Sequence, residues 1–331
     1  MPSITINSGV SFSADAGVPI LQAGLEAGLP LAYSCKTGRC SSCMCKIVAG
    51  ETLALHAEIG LTASEREAGW VLSCVRTAVT DVVVDLDILT GITLPGVRTL
   101  PCRIDTIDYL SSDVIGVKLR FPPSADFRYI PGQYVQIIGP GGMRRSYSIA
   151  NAVTGEGIIE LHIRAVDGGA MSRYWFEQAR PNDLLRLCGP LGTFFLRDVA
   201  GKDVVFLATG TGIAPVKAML EAMADIPDER APQSVTVCWG GRIPEDIYID
   251  MSGVPAVHRF VPTLSRADSA WLGDRGYVQD AFLRTHPDLA HTVVYACGSE
   301  AMIHQAKDVL TTMGLPSDRF HSDAFVCSAS S

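Results

Sequence analysis

Features that would place this chain in a membrane, on the export route or on nucleic acid are missing from its sequence. No run of about 18 apolar residues occurs, so a membrane-spanning helix is not expected. The first residues, MPSITINSGVSFSADAG, contain neither a basic start nor an apolar core, and we expect no secretory signal peptide. Lys and Arg number 27 against 35 Asp and Glu, and the net charge of −8 without a basic patch argues against a nucleic-acid partner.

Charged residues are also scarce, at 19% of the chain, whereas apolar residues reach 47%. This composition is typical of well-buried globular domains, and 331 residues suit two or three of them, at about 100–150 residues each. Ten cysteines in a chain without an export signal predict a reducing cytoplasm, where thiols stay free or bind metal. Cys102, Cys188 and Cys238 lie in apolar runs and are expected to be plain core residues.

The most informative stretch is YSCKTGRCSSCMCKIVAG, residues 33–50, together with a later cysteine in VLSCV. Four, two and thirty residues separate the successive cysteines of the motif, which are Cys35, Cys40, Cys43 and Cys74. This is the C-x4-C-x2-C…C spacing of a plant-type [2Fe–2S] cluster. Two irons need four thiolates, so a tight loop supplies three and a distant segment supplies the fourth. Gly38 allows that loop to turn sharply.

Other uses of these cysteines predict different patterns. A structural zinc site usually contains two C-x2-C pairs, and the second pair is missing here. A disulfide framework needs an oxidising compartment, which nothing in the chain suggests. Cys45, two residues after Cys43, is interpreted as a small core residue, with substitution for one of the four ligands as the alternative.

Hydrophobic periodicity divides the chain into three regions. Residues 1–91 combine a β-hairpin, a helix, the cysteine loop and returning strands, which predicts a β-grasp ferredoxin domain. One of those strands, over 71–75, is expected to carry Cys74. Residues 97–198 alternate in short strands and predict an antiparallel β-barrel domain. Residues 201–331 alternate strands with helices, which predicts a doubly wound α/β domain.

Three short motifs in the second and third regions offer candidate binding chemistry. Arg145, Tyr147 and Ser148 lie on one predicted strand and provide a cation, a flat ring and a hydroxyl, although a surface strand would look alike. Residues 168–172, GGAMS, open a helix whose first N–H groups suit a pyrophosphate, or they simply begin a helix. Residues 210–215, GTGIAP, join a strand to a helix but lack the G-x-G-x-x-G dinucleotide fingerprint.

The order of these motifs, followed by ACGS at 296–299 and DAF at 323–325, resembles the ferredoxin–NADP reductase superfamily. With the ferredoxin region in front, the chain is similar to the single-chain reductases that feed electrons to Rieske ring-hydroxylating oxygenases. The segments RRSYSIAN, VYACGS and SDAFV are also similar to segments of the reductase of the CDP-4-keto-6-deoxyhexose 3-dehydrase system. The similarity covers essentially all 331 residues.

The resemblance implies a binding role for residues of each motif. It places FAD on the barrel strand and the second motif, at Arg145, Tyr147, Ser148, Gly169, Met171 and Ser172. It places the nicotinamide nucleotide on the third motif and a later turn, at Gly210, Thr211, Gly212 and Gly298. Ser148, Cys297 and Phe325 would border the reacting rings, although the last two are also consistent with core packing. Asp323 is implied as a polar group near Phe325.

The same resemblance implies an activity. Electrons enter as hydride from NADH, or from NADPH, pass through FAD to a [2Fe–2S] cluster and leave singly to a protein partner. NADH is the first choice, but Ser265 and Arg266 match a 2′-phosphate contact of NADPH-using relatives, and Arg266 is equally consistent with a surface charge. A Rieske-type oxygenase is the first-choice partner. A deoxyhexose dehydrase and a di-iron monooxygenase are the alternatives, and a non-catalytic module that carries a cluster is a third class.

Overall fold

The computed structural model describes residues 1–86, 88–285 and 287–325. Residues 326–331, which the predicted third domain includes, lie outside this described part. The described residues form two compact units, of which unit 1 comprises Met1–Leu94 with residues 322–325, and unit 2 comprises Pro95–His321. Within the described ranges, no helix is long and apolar enough to cross a bilayer.

The strands of unit 1 form a five-stranded mixed sheet and a separate two-stranded ladder. The strands are β1 (Ser3–Ile6), β2 (Ser11–Ser13), β3 (Met44–Ala49), β4 (Thr52–Ala54), β5 (Trp70–Leu72), β6 (Arg76–Ala78) and β7 (Val82–Asp85). The helices are α1 (Ile20–Glu26) and α2 (Ala63–Glu67). The sheet has the order β2-β1-β7-β3-β5, in which β1 is parallel to β7 and the other three neighbouring pairs are antiparallel. The separate ladder pairs β4 with β6 in antiparallel orientation.

Alternating burial explains the first hairpin of unit 1. Ile4 and Ile6 of β1 are buried, and β2 buries Phe12 between two exposed serines. Ile20 and Leu21 of α1 join the same core, so the helix packs with the sheet. A mixed sheet with one packed helix is the β-grasp arrangement, and the predicted ferredoxin-type fold of this region is confirmed.

The strand predicted over 71–75 is wrong in its second half. β5 ends at Leu72 and β6 begins at Arg76, so Cys74 lies in the turn between them. The two strands belong to different sheets, and the chain therefore has to change direction at this point. A turn, and not a strand, presents Cys74.

The first part of unit 2, residues 98–191, is an antiparallel barrel, as predicted. Its strands are β8 (Arg98–Tyr109), β9 (Val114–Arg120), β10 (Tyr134–Ile138), β11 (Arg144–Ser148), β12 (Ile158–Arg164) and β13 (Leu184–Leu191). They have the order β11-β10-β13-β8-β9-β12, and a bridge between Ile149 and Leu161 brings the two edges together. Helix α3 (Ala170–Arg173) continues as a π-helical turn, Tyr174–Gln178, and buries Met171 and Trp175 in the barrel core.

The second part of unit 2 is a parallel sheet with crossover helices. Its strands are β14 (Asp203–Thr209), β15 (Ser234–Gly241), β16 (Arg259–Leu264), β17 (Asp274–Arg275) and β18 (Thr292–Ser299). A last strand, β19 (Phe320–Phe325), begins in unit 2, and its residues from Ser322 belong to unit 1. The helices are α4 (Ile213–Met223), α5 (Val278–Leu283) and α6 (Glu300–Thr312). The order is β17-β16-β15-β14-β18-β19, and the pairs from β17 to β18 are parallel. The predicted doubly wound α/β fold is confirmed.

Candidate functional site

The cysteine loop of unit 1 brings the four predicted ligands together as two contacting pairs. Cys35 is hydrogen-bonded to Cys40, and Cys43 is hydrogen-bonded to Cys74. The amide of Cys35 also donates to the Cys40 sulfur at 3.4 Å. All four side chains are buried except that of Cys35, which is half-buried. A [2Fe–2S] cluster requires four thiolate donors, two for each iron, and two neighbouring pairs of thiols match that requirement.

The hydrogen bond inside each pair moves the two thiol pKa values in opposite directions. The bond with Cys40 lowers the pKa of Cys35 to about 5, and the same bond raises the pKa of Cys40. In the second pair, the hydrogen bond raises the pKa of Cys43 and lowers the pKa of Cys74. One sulfur of each pair is therefore biased toward the thiolate, the form that binds metal.

The backbone of the cysteine loop adopts a conformation that few residues tolerate. Lys36, Gly38 and Ser41 have positive φ values of 55°, 75° and 57°. For the two residues with side chains, this conformation costs about 1 kcal/mol or more each. The same turn lets the Thr37 amide donate to the Cys35 sulfur at 3.4 Å. Amides directed at the sulfurs stabilise the charge of a bound cluster.

The residues present fit a [2Fe–2S] cluster. Among the described residues, no three His, Cys, Asp or Glu side chains surround a single ion position, whereas the two-by-two arrangement of the cysteines would provide two thiolates for each of two irons. Cys45 lies on β3 opposite Val71 and is fully buried, and burial raises its pKa to about 12. A neutral buried thiol of this kind supports the interpretation of Cys45 as a core residue.

Two residues that sequence reasoning missed support the cysteine loop. The amide of Gly60 donates to Gly38 O at 2.8 Å, and a Cβ on Gly60 would lie 2.8 Å from the Ser41 nitrogen. Glu58 accepts from the amide of Leu72 at 2.7 Å and from Arg76 at 2.7 Å, on either side of the turn that carries Cys74. Neither residue carries a motif, because each acts through contacts with residues distant in the sequence.

The first motif of unit 2 occupies strand β11. Arg145, Tyr147 and Ser148 pair with residues of β10, and their exposure falls along the strand from exposed to half-buried to buried. The hydroxyl of Tyr147 accepts from Trp175 Nε1 at 3.0 Å, and the rings meet edge to face at 6.2 Å. Burial raises the pKa of Tyr147 to about 12, so its phenol stays neutral. The ring is held in place beside an exposed cation.

The second motif forms the turn before α3. Gly168 has a φ of 70°, which favours glycine, and Gly169 occupies the N-cap without a capping side chain. Met171 is 2% exposed and belongs to the barrel core, and the Ser172 hydroxyl accepts from the Val166 amide at 2.7 Å. These two side chains therefore hold the turn itself. Any contribution to a pyrophosphate site would come from main-chain N–H groups.

The third motif meets the turn after β18 at the point where the strand order reverses. β14 has β15 on one side and β18 on the other, and in such sheets ligands bind at the carboxyl ends of these strands. A Cβ on Gly212 would lie 2.2 Å from Cys297 O, and a Cβ on Gly298 would lie 2.3 Å from Thr209 Oγ1. The Ser299 amide donates to Thr209 Oγ1 at 3.0 Å. The two turns thus pack backbone against backbone.

A charged residue of the barrel strengthens this junction. Arg164, at the end of β12, donates from Nη2 to Asp246 Oδ1 at 2.7 Å, and its Nε lies 3.2 Å from Asp113 Oδ2. A Cβ on Gly210 would lie 2.9 Å from Arg164 Nη1, so the guanidinium lies directly beside the turn. Trp239 Nε1 donates to Gly210 O at 3.0 Å. Sequence reasoning missed Arg164 because its partners are far away in the chain.

Arg266 lies at the same edge of the parallel sheet. It follows the carboxyl end of β16, is exposed, and its amide donates to Arg242 O at 2.9 Å. The side chain of Arg242, which follows β15, is already paired with Asp246 at 3.3 Å. Arg266 is therefore an exposed cation beside the predicted nucleotide edge, and Arg242 is a second exposed cation that is paired with Asp246.

The structure brings three predicted nucleotide-site residues into contact and places two further predicted residues each within its own unit. Gly212 contacts Cys297 and Gly298 across the two turns, and Cys297 is fully buried. Ser148 lies on strand β11 of the barrel in the same unit. Phe325 is half-buried and belongs to unit 1, with the cysteine loop.

Three family models match successive parts of the chain. They are a 2Fe-2S iron-sulfur cluster binding domain at residues 4–79, an oxidoreductase FAD-binding domain at 101–196 and an oxidoreductase NAD-binding domain at 206–308. The three predicted cofactors, a [2Fe–2S] cluster, FAD and a nicotinamide nucleotide, are confirmed at this level.

Curated relatives and solved structures resemble the chain over its whole length. The CDP-6-deoxy-L-threo-D-glycero-4-hexulose-3-dehydrase reductase of Yersinia pestis is 40% identical over 96% of each chain. Reductase component 2 of terephthalate 1,2-dioxygenase from Comamonas sp is 30% identical over 96% of this chain and 95% of the relative. The crystal structure of the Amycolatopsis cytochrome P450 reductase GcoB has a TM-score of 0.75 and 27% identity, and covers 99% of this chain and 100% of the other.

Proposed function

This chain belongs to the single-chain iron–sulfur flavoprotein reductases, and from that membership we propose that its electron acceptor is a sugar dehydrase. The chain is an NAD(P)H-dependent oxidoreductase with a [2Fe–2S] domain, an FAD domain and an NAD domain. Its relatives include reductase components for both dehydrases and oxygenases. The acceptor is therefore the part of the function that has to be proposed.

The two kinds of bound group transfer electrons in different numbers: one handles a pair of electrons and the other handles single electrons. When bound, FAD accepts hydride from the nicotinamide and the [2Fe–2S] cluster carries the electrons onward one at a time. We assign the cluster to the sulfurs of Cys35, Cys40, Cys43 and Cys74. The paired contacts of these residues and the amides of the loop support that assignment.

The residues of unit 2 would bind and orient the two nucleotides. Arg145 provides an exposed cation for a phosphate, Tyr147 a fixed ring, and Ser148 a hydroxyl at the buried end of the strand. The turn at Gly169 contributes N–H groups, with Met171 and Ser172 holding its shape. The nicotinamide nucleotide would lie on the turns that contain Gly210, Thr211, Gly212, Cys297 and Gly298. Phe325 stays a predicted neighbour of the flavin.

One observation favours a dehydrase as the acceptor. Identity to the Yersinia dehydrase reductase is 40% over 96% of both chains, against 30% for the terephthalate dioxygenase reductase. The first-choice oxygenase partner therefore becomes the second candidate. Redox chemistry allows the oxygenase as well: a plant-type cluster near −400 mV lies at least roughly 250 mV below Rieske centres, which favours transfer by about 10⁴ at 59 mV per decade. This driving force does not select between the two partners.

Reconstitution with each acceptor tests the proposed partner. With NADH and the purified chain, we expect kcat/KM for a CDP-6-deoxyhexulose 3-dehydrase to exceed that for a Rieske oxygenase by at least about tenfold, or about 1.4 kcal/mol of interface specificity. Cytochrome c reduction by the same preparation controls for reductase activity. Faster turnover with the oxygenase would reverse the assignment, and no turnover with the dehydrase would refute it.

Replacement of Arg266 tests the choice between NADH and NADPH. We expect Arg266→Ala to lower kcat/KM for NADPH by about tenfold or more and to leave NADH within about twofold, because a charge-assisted hydrogen bond contributes about 1.5–3 kcal/mol. Arg259→Ala is the matched control, since Arg259 is exposed at the opposite end of the same strand. An unchanged ratio of the two kcat/KM values would show that Arg266 is a surface charge only.

The cytoplasmic location and the absence of a nucleic-acid partner stay predictions from composition. Both depend on the free cysteines and the acidic balance of the chain.

A further inference from the structure

Two polar residues of β19, the last strand of the described chain, are buried. Ser322 and Asp323 belong to unit 1, and each is 5% exposed. Buried polar side chains are costly unless they are hydrogen-bonded, so the partners of these two residues indicate what they do. Both residues have hydrogen-bond partners in the cysteine loop.

Ser322 exchanges hydrogen bonds with the loop in both directions. Its hydroxyl donates to the carbonyl oxygen of Cys40 at 2.7 Å, and the hydroxyl of Ser42 donates to the carbonyl oxygen of Ser322 at 2.7 Å. The first bond acts on one predicted ligand, and the second acts on the residue immediately before Cys43. Together they restrain the part of the loop between the second and third cysteines.

Asp323 restrains the other end of the loop. Its carboxylate accepts a hydrogen bond from the hydroxyl of Ser34, the residue immediately before Cys35. Ser34 is 2% exposed, so both partners are buried. A hydrogen bond to a charged group is stronger than one between neutral groups, and burial adds to the cost of breaking it.

The loop needs such restraints because its backbone is strained. Lys36 and Ser41 both have a positive φ, a conformation that persists only where the surrounding structure holds it. The direction of the loop amides toward sulfur depends on this conformation. Hydrogen bonds to the sulfurs in turn adjust the reduction potential of a [2Fe–2S] cluster and its retention.

We propose that Ser322 and Asp323 are positioning residues of the cluster site, supplied by the opposite end of the chain from the cysteines. They hold the loop that contains Cys35, Cys40 and Cys43 in the conformation that directs its amides at the sulfurs. This inference rests on the proposed assignment of the cysteines to the cluster. It gives Asp323 a different role from the flavin-side group that the family resemblance implied.

The test compares the cluster in the whole reductase with and without these side chains. In Ser322→Ala and Asp323→Asn, we expect a shifted midpoint potential, an altered EPR spectrum of the reduced cluster, and cluster loss to an iron chelator about tenfold faster. Ser322→Thr keeps the hydroxyl and should restore all three properties toward wild type. NADH–ferricyanide activity, which needs only the flavin, shows that each variant is folded.

The chain contains its own matched control. Ser317 and Asp318 form the same dipeptide five positions earlier, and both are exposed. Ser317→Ala and Asp318→Asn should leave the potential, the EPR spectrum and the rate of cluster loss unchanged. Equal effects in both pairs, or unchanged cluster properties in Ser322→Ala, would overturn the inference.

The experiment separates this inference from the assignment on which it rests. A wild-type protein without [2Fe–2S] absorption and EPR signals would refute the cluster assignment itself. A wild-type protein with the cluster, and variants at residues 322 and 323 that match it, would refute the positioning role alone.

Discussion

Replacing Cys74 by serine is expected to abolish electron transfer to cytochrome c while NADH–ferricyanide activity continues. Cys74 is the predicted ligand that comes from a distant segment, and it contacts Cys43. Serine removes the thiolate from one iron, and oxygen is a poor substitute in a site built for sulfur. We expect cytochrome c reduction to fall at least about 100-fold, because loss of a ligand should exceed the roughly 10–100-fold cost of losing an outer-shell partner, and ferricyanide reduction to stay within about twofold.

A second cysteine of the same region provides the control for this variant. Cys45→Ala also removes a buried thiol of unit 1, but Cys45 lies on β3 outside the two contacting pairs. It should keep the visible and EPR spectra of the cluster, with at most a loss of stability. Equal loss of both activities in Cys74→Ser would contradict the separation of flavin and cluster steps.

Adding one methyl group at Gly212 is expected to impair the use of NADH without removing FAD or the cluster. The new Cβ would lie 2.2 Å from Cys297 O and 2.6 Å from Cys297 C, both main-chain atoms. Neither turn can retreat easily, because β14 and β18 are paired along their length and the Ser299 amide is bonded to Thr209. Overpacking of this kind costs about 1–3 kcal/mol, so kcat/KM for NADH should fall about tenfold or more.

Stopped-flow reduction of the flavin by NADH measures this effect directly. Gly253→Ala is the matched control, because no atom lies within 4 Å of the Cβ position there and no positive φ is involved. Thermal unfolding and the flavin and cluster spectra show whether Gly212→Ala remains assembled. An assembled variant with unchanged kcat/KM would show that the contact between the two turns does not shape the nucleotide site.

The parts of the site that could be predicted are those in which chemistry imposes a local spacing. A cluster needs four thiolates, so the cysteine intervals identify it before any fold is known. The hairpin and the alternation of strands and helices were equally local, since side-chain burial repeats every two or every 3.6 residues. Cys74 shows what spacing cannot predict. Its place in the cysteine motif was predicted from the sequence, but its position in a turn between strands of two sheets was not.

Other parts of the site depend on contacts between residues far apart in the chain. Gly60 supports the cysteine loop because no side chain fits between two backbones, and Arg164 braces the Gly210 turn through partners elsewhere in unit 2. Met171 and Ser172 belong to the motif that was predicted to bind FAD, yet their side chains stabilise the turn itself.

The amino-acid sequence alone determined which cofactors this protein binds, the order of its domains and which cysteines are candidates for iron. The cluster and the domain order follow from covalent spacing and from hydrophobic periodicity, which are properties of neighbouring residues, and the two nucleotide cofactors follow from the resemblance of the ordered motifs to a known family. Only the tertiary structure decided that Cys35 contacts Cys40 while Cys43 contacts Cys74, and that Ser322 and Asp323 bond to the cysteine loop. Hydrogen bonds and close contacts of this kind depend on distances in space, and residues separated by more than 280 positions leave no local pattern that would reveal them.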